Sequence, residues 1–437
     1  MMTPKLLMVP AGVVCLLTAP LFAQVDCATS KDLICELPIS ASTLANVTVG
    51  APTGSGPAFN KALSTAFPIN AAIASQISQL PIPSASVGVV SLRQPGSEVG
   101  VPFDNLGPIL TDRPDTVGKG HIFIGGSYQH FHFNSIDGTS LDALPVAFSY
   151  TQPSPFNASD QQTVYGGVYN DVQFRLNQWT GILTYGATRT TDVTVVVPIN
   201  AVSVNVTASK IQAYVFDSVK NQYSSVPAPT TSLTTTGTAS GIGDILINVK
   251  QLLVGQEGER VAVSAGGNLR APTGKASDYL GSGAFGGQVY GLLEYRHKVA
   301  PHVRVGYQWN GISSDLAPPG APKIRLPGGL QYDIGSDFRL ARTLSADVDL
   351  LGSQFVNSPT MAPGVIALLP ASNPAPPVTS IPTVNTFTRT YTTVDLSGGA
   401  KWAPVPHFLV YVNFLKQTNS AGLRSDVVPL VGIAYHR

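Results

Sequence analysis

From Ser240 to Gly287 the chain alternates apolar and polar side chains over two runs separated by a tight polar break. Ile245, Ile247 and Val249 face one way, and Asp244, Leu246, Asn248 and Lys250 the other. Beyond the break at 255–258, Val261, Val263, Ala265, Gly267 and Leu269 alternate with Ser264, Asn268 and Arg270. A period of two over such lengths dictates strands, and the pair predicts a β-hairpin. The apolar face carries no charge, whereas the polar face carries Asp244, Lys250 and Arg270. One face for lipid and one for water is the pattern of a transmembrane β-barrel strand.

Composition agrees with that reading. Charged residues are 12% of the chain, about half the share of ordinary soluble domains. Outside the N-terminal leader no stretch holds the apolar run that a membrane helix needs. A net charge of +1 gives no reason to expect nucleic acid as a partner. Residues 1–23 read as a secretory signal, with Lys5 before an apolar core from Leu6 to Phe22 and Ala23 at the cleavage point. The mature chain then keeps Cys27 and Cys35, a close pair expected to form a disulfide in an exported protein.

Twelve strands are expected, at about 119–133, 171–188, 191–206, 241–253, 259–270, 284–297, 301–311, 328–340, 343–355, 389–402, 407–417 and 427–436. The second is expected to bulge near Trp179. Connections after even strands are short, and those after odd strands (134–170, 207–240, 271–283, 312–327, 356–388, 418–426) are long. Such alternation predicts an all-β, closed up-and-down antiparallel barrel over 119–437, with periplasmic turns, external loops and both termini in the periplasm. Tyr295, Tyr307, Trp309, Trp402 and Phe408 are the candidates for its aromatic girdles. Residues 24–118 differ. Leu63, Phe67, Ile73 and Ile77 recur at helical spacing within about 63–80, ended by Pro81 and Pro83. This amphipathic helix either plugs the lumen or lies beneath the barrel.

Several stretches are similar to a known family. SGIGDILINVKQLL at 240–253, LRAPTGK at 269–275 and LGSGAFG at 280–286 carry the resemblance, joined by 107–138 and 183–199. They resemble the outer-membrane barrels named for the putative meta-pathway of phenol degradation. The resemblance implies a barrel porin or transporter for aromatic or other hydrophobic compounds. It supplies no catalytic motif and no cofactor. It implies outer-membrane lipid, a small-molecule solute and the barrel-assembly machinery as partners.

The lumen-facing positions then hold the candidate site: Arg175, Asp244, Lys250, Arg270, Glu294, Arg296, Arg304, Asp333, Asp337, Arg339, Asp347, Asp349, Asp395 and Lys401. Matched numbers of acids and bases suggest cross-strand ion pairs bracing the wall. The competing reading is a polar path lined by Arg270, Arg304, Asp244 and Asp333. The run from Gly281 to Gly286 spells a dinucleotide fingerprint but precedes a strand, and Lys275 lacks the rest of a phosphate loop. His130 and His132 share a strand face without a third metal ligand. A barrel-embedded lipid hydrolase would need Ser and His side by side, and a strand puts Ser127 and His130 on opposite faces. No enzyme is expected. A non-conducting structural barrel is the other alternative.

Overall fold

The alternating runs close into a ring. The structure is a computed structural model that describes Cys27, 30–40, Thr65, 68–70, 72–77, 80–81, Leu106, 108–153, 161–217, Val219, 221–225, 232–255, 259–313, 315–316, 323–368, 379–405 and 407–436. The signal segment lies outside these residues, as do Leu63 and Phe67 of the expected helix.

The barrel strands are β1 (Ile122–Phe133), β2 (Gln161–Gly186), β3 (Thr191–Asp217), β4 (Ile245–Val254), β5 (Val261–Ala271) and β6 (Gly286–Tyr295). They continue with β7 (Val299–Asn310), β8 (Gly329–Ala341), β9 (Leu344–Ala367), β10 (Ser380–Val405), β11 (Phe408–Gln417) and β12 (Val427–His436). Each is antiparallel to its neighbours, and β1 pairs with β12 from Phe123↔His436 to Gln129↔Leu430, which closes the ring. Closure leaves no strand edge for lipid to meet.

Outward residues form an apolar belt, among them Ile124, Leu183, Ile247, Val289, Val305, Ile334, Val348 and Ile433. Val299 and Trp309, ten residues apart on β7, are both exposed on this face. At barrel tilt that spacing spans about 25 Å, the height of an outer-membrane apolar band. Tyr185, Tyr295, Trp402 and Tyr435 lie at the short-turn end of the belt, and Trp179, Tyr307 and Trp309 towards the other. Phe408, expected in a girdle, is only half exposed. This is an outer-membrane barrel, with its short turns towards the periplasm.

The wall rises past the membrane on one side. Strands β2, β3, β9 and β10 run 26, 27, 24 and 26 residues, where about ten suffice to cross. Much of 134–170, 207–240 and 356–388, expected as loop, is therefore strand. Leu144–Pro153 pairs with outer β2, and Leu233–Ile242 with outer β3. The polarity of the wall inverts where it leaves the membrane. On β3, lower residues put Thr194 inward, whereas higher up Val202, Val204 and Val206 turn inward and Ser203 points out. On β2, Trp179 faces out below and Arg175 faces out above. Arg175 is thus not a lumen residue, because the inversion reverses the polarity cue that placed it inside. The irregularity of β2 falls between Gly167 and Tyr169, not at Trp179.

The apolar outer lumen is filled by the N-terminal stretches. Leu33, Ile34, Ile69, Ile73 and Ile77 are buried in one cluster with Phe131, Phe133, Phe174 and Val204 of the wall. Residues 68–70 and 72–77 are α-helical, and Ile73 and Ile77 point into this cluster. Cys27 and Cys35 are joined by a disulfide with Cα atoms 5.3 Å apart.

Candidate functional site

Two N-terminal stretches bracket the lumen at different heights. At the loop end, Leu33 N donates to Asp278 Oδ1 at 3.1 Å, Thr235 Oγ1 donates to the Glu36 carbonyl at 3.3 Å, and Lys275 pairs with Asp32. Burial pushes the Asp32 carboxyl up, but hydrogen bonds from Lys275, Ser277 and Ser30 outweigh it and hold the group below its ordinary range. Burial pushes Lys275 down, and its bonds to Asp32 and Asp278 bring it above its ordinary value. Glu36 is pushed up by burial, with Thr235 opposing. Deeper in, Gln76 Oε1 accepts from Leu423 N.

At the periplasmic end a strap, 108–117, lies against the inner wall. Arg113 Nη2 donates to Glu294 Oε1 at 2.9 Å, and its Nε lies 3.2 Å from Asp115 Oδ2. Lys250 Nζ donates to the Arg113 carbonyl at 2.8 Å and pairs with Asp112 at 3.3 Å. Arg296 pairs with Asp115, and Val117 N donates to Asp192. His302 Nε2 meets both Thr111 Oγ1 and Asp349 Oδ1 at 2.9 Å, while its Nδ1 is 3.4 Å from Asp337. Lys401 Nζ donates to the Leu106 carbonyl at 3.1 Å and also to that of Pro108. Asp347 sits opposite Asp337 in the ladder, in the field of Asp349 and Lys401. Arg339 is half-buried two residues before the turn at 341–343. The sequence led to an expectation of wall-to-wall ion pairs. Glu294, Lys250 and Arg296 instead pair with the strap.

Between these two levels lies a cavity of about 290 Å³. Gln76, Ile77 and Leu80 border it from the loop side, and Leu110 and Asp112 from the periplasmic side. Asp244, Arg270, Arg304 and Asp333, the four residues of the polar-path reading, all line it. Arg304 pairs with Asp333 at 3.0 Å and lies 4.7 Å over the Tyr290 ring. Arg270 Nε is 3.6 Å from Asp244, and Arg424 pairs with Asp395 at 2.9 Å.

The local sequence explains Asp244. The strand facing β3 breaks at Gly243, whose N–H donates to the Pro198 carbonyl at 2.8 Å, and Asp244 turns inward. Its carboxylate accepts from Gly274 N at 3.2 Å and Ser282 N at 2.8 Å. A Cβ at Gly281 would stand 2.7 Å from Gly274 Cα and collide with Asp244 Oδ1. The three stretches SGIGD, LRAPTGK and LGSGAFG are therefore one unit that folds the 272–285 connection into the lumen.

Sequence reasoning missed the carboxamides. Asn248, Asn268, Gln288 and Gln308 recur every twenty residues and stand opposite one another across β4–β7. Asn268 donates to Gln288 at 2.9 Å, Gln288 to Gln331, and Gln331 to Gln308. Tyr290 donates to Asn248 at 2.9 Å. On β2 and β3, Gln178 donates to Asn200 at 3.1 Å. The twenty-residue recurrence was the available signal.

His130 bonds Asn177 on the outer face, while Ser127 is buried on the inner one. Among the described residues no group of three or more His, Cys, Asp or Glu side chains could hold a metal.

Residues 154–364 match the profile of a family described as "Putative MetA-pathway of phenol degradation". Comparison with curated proteins gives no match. Among solved structures, the chain is similar to an outer membrane channel from Pseudomonas putida F1, at 11% identity and TM-score 0.42, over 74% of this chain and 98% of that one. It is also similar to the CymD monoaromatic hydrocarbon channel, at 9% identity and TM-score 0.30, over 73% and 88%. The P. putida toluene transporter TodX is a third, at 8% identity and TM-score 0.31, over 74% and 92%.

Proposed function

With just under half of its length matching the family described as a putative MetA-pathway of phenol degradation, we propose that this barrel is a gated channel for passive passage of small molecules. The observation that carries the reading is the cavity held between two N-terminal stretches, the periplasmic one joined to the wall by ion pairs and hydrogen bonds that can be remade. The outer lumen, lined by Phe131, Phe133 and Phe174, suits aromatic or otherwise apolar cargo. Its partners are that solute, the outer-membrane lipid around the belt, and the barrel-assembly machinery that inserts it. No cofactor or catalytic group enters this reading.

Planar-bilayer conductance of the refolded mature protein tests it. Deleting residues 58–83 should raise single-channel conductance severalfold in a barrel that still shows heat-modifiable mobility. An unchanged conductance would reject closure by this segment. A folded barrel, deleted or not, that never conducts would reject the channel.

A further inference from the structure

The charges on the cavity are compensated, Asp112 by Lys250 at 3.3 Å, and the walls are crowded with hydrogen-bonding groups. Arg270, Arg304 and Arg424 are each matched by an aspartate on the cavity, so none offers uncompensated charge to an anion. What remains is the relay from Asn268 through Gln288 and Gln331 to Gln308, carried across four strands. Gln288 Oε1 already accepts from both Asn268 and Arg304, and each relay nitrogen spends one N–H on the next oxygen, which leaves its second N–H to donate to a hydroxyl oxygen. Further round the wall, on β2, Gln178 lies on the cavity, is 6% exposed, and its Oε1 has no partner among the described atoms. The chamber holds about 290 Å³. Leu246, Leu351 and Phe355 add apolar surface beside the amides.

We propose that this cavity binds one neutral, hydroxyl-bearing six-membered ring, its hydroxyls bonded to the carboxamide relay and its faces on Leu246, Leu351 and Phe355. A hydrocarbon would strip water from the amides and return no hydrogen bonds. A carboxylate would meet arginines already neutralised. The same hydroxyl chemistry belongs to aromatic rings and to cyclic polyols. The inference rests on the channel reading for its role in passage, though not for binding itself.

Calorimetric titration of the detergent-solubilised full-length mature barrel tests it, with resorcinol, myo-inositol, benzoate and toluene as probes. One-to-one binding of resorcinol, myo-inositol or both, at least tenfold tighter than benzoate or toluene, is expected. Resorcinol alone identifies an aromatic source, inositol alone an aliphatic one, and both together hydroxyl recognition irrespective of ring type. Gln288→Leu with Gln308→Leu should weaken that binding tenfold or more. If this pair does not fold, Gln288→Met alone should weaken it severalfold. Equal or tighter binding of toluene or benzoate, or no binding of either hydroxylated probe, overturns the inference. A barrel that conducts but binds neither hydroxylated probe sinks this inference and spares the channel. Binding without conductance does the reverse.

Discussion

Arg113 is the residue whose removal should most directly release the strap. It is 1% exposed and bridges Glu294 of β6 at 2.9 Å and Asp115 of the strap at 3.2 Å. Arg113→Ala deletes the cation and leaves two buried carboxylates, both at 5% exposure or below, without it. Breaking a buried pair from one side costs roughly 3–5 kcal/mol, most of it the stranded charge. The cost falls on the docked strap, because a released strap lets water reach Glu294. At about 1.4 kcal/mol per tenfold, the lower figure shifts the docked-to-released ratio by a factor of roughly 150. Single-channel recordings should show a larger open fraction. Arg113→Lys should shift it far less, since a cation remains.

A double-mutant cycle separates release from general damage. Adding Glu294→Gln to Arg113→Ala removes one stranded charge, so the double variant should open less often than Arg113→Ala. If Arg113→Ala gives wild-type open probability in a heat-modifiable barrel, the strap does not close the lumen. If the double variant is additive with the singles, the two side chains do not interact as the geometry requires.

Cys27→Ser, or a reductant, should loosen the outer anchor. The chain-entropy estimate for so short a loop is about 2.5 kcal/mol, seen as earlier proteolysis of the N-terminal stretch with the barrel's melting temperature unchanged. Gly281→Ala should lower thermal stability by about 1–3 kcal/mol and detach the 272–285 connection, because the new methyl collides with Asp244 and Gly274. The Asp32–Lys275 pair sets a pH window for the outer anchor. Asp32 is held below its ordinary pKa and Lys275 above, so the stabilisation is present between about pH 4 and pH 10. It is lost as acid protonates Asp32 and as base neutralises Lys275. Proteolysis of the anchor should therefore accelerate below about pH 4 in wild type, and Asp32→Asn should remove that acid limb.

The sequence made the membrane-crossing part of the wall legible and left the rest obscure for a physical reason. A strand between lipid and water must alternate, so β5, β11 and β12 were readable to within about two residues. Above the membrane the same strands turn polar residues to solvent and apolar residues such as Val202 and Val204 to the N-terminal helix. Their alternation persists with the opposite sense, and a search for apolar-outward strands stops at the inversion. Individual site residues were legible as inward charges, but their partners were not. Glu294 meets Arg113 across 181 positions of chain, and nothing local in either segment announces that contact. The 107–138 resemblance marked the strap as distinctive without showing that it lies across the lumen.

The two N-terminal stretches differ in what holds them, and this decides which one moves. Leu33, Ile34, Ile69, Ile73 and Ile77 bury five aliphatic side chains at the loop end, at roughly 1.5–3 kcal/mol each. Undocking them together would cost on the order of 10 kcal/mol, about seven decades in population. The strap region buries three aliphatic side chains, Leu106, Ile109 and Leu110, against five, and its other contacts are ion pairs and hydrogen bonds that water can replace once the site is wet. The strap should therefore open first, with the outer anchor staying in place. Paired cysteines separate the two. Leu33→Cys with Gly237→Cys joins the outer anchor to the wall where Leu33 already packs on Gly237, and conductance should survive oxidation. Leu106→Cys with Ser345→Cys ties the chain to the wall two residues before the strap, where Leu106 N donates to Ser345 Oγ at 2.9 Å, and oxidation should abolish openings that dithiothreitol restores. Loss of conductance from the outer cross-link with none from the strap would place the moving element at the loop end, and would mean that apolar burial there is weaker than the packing implies.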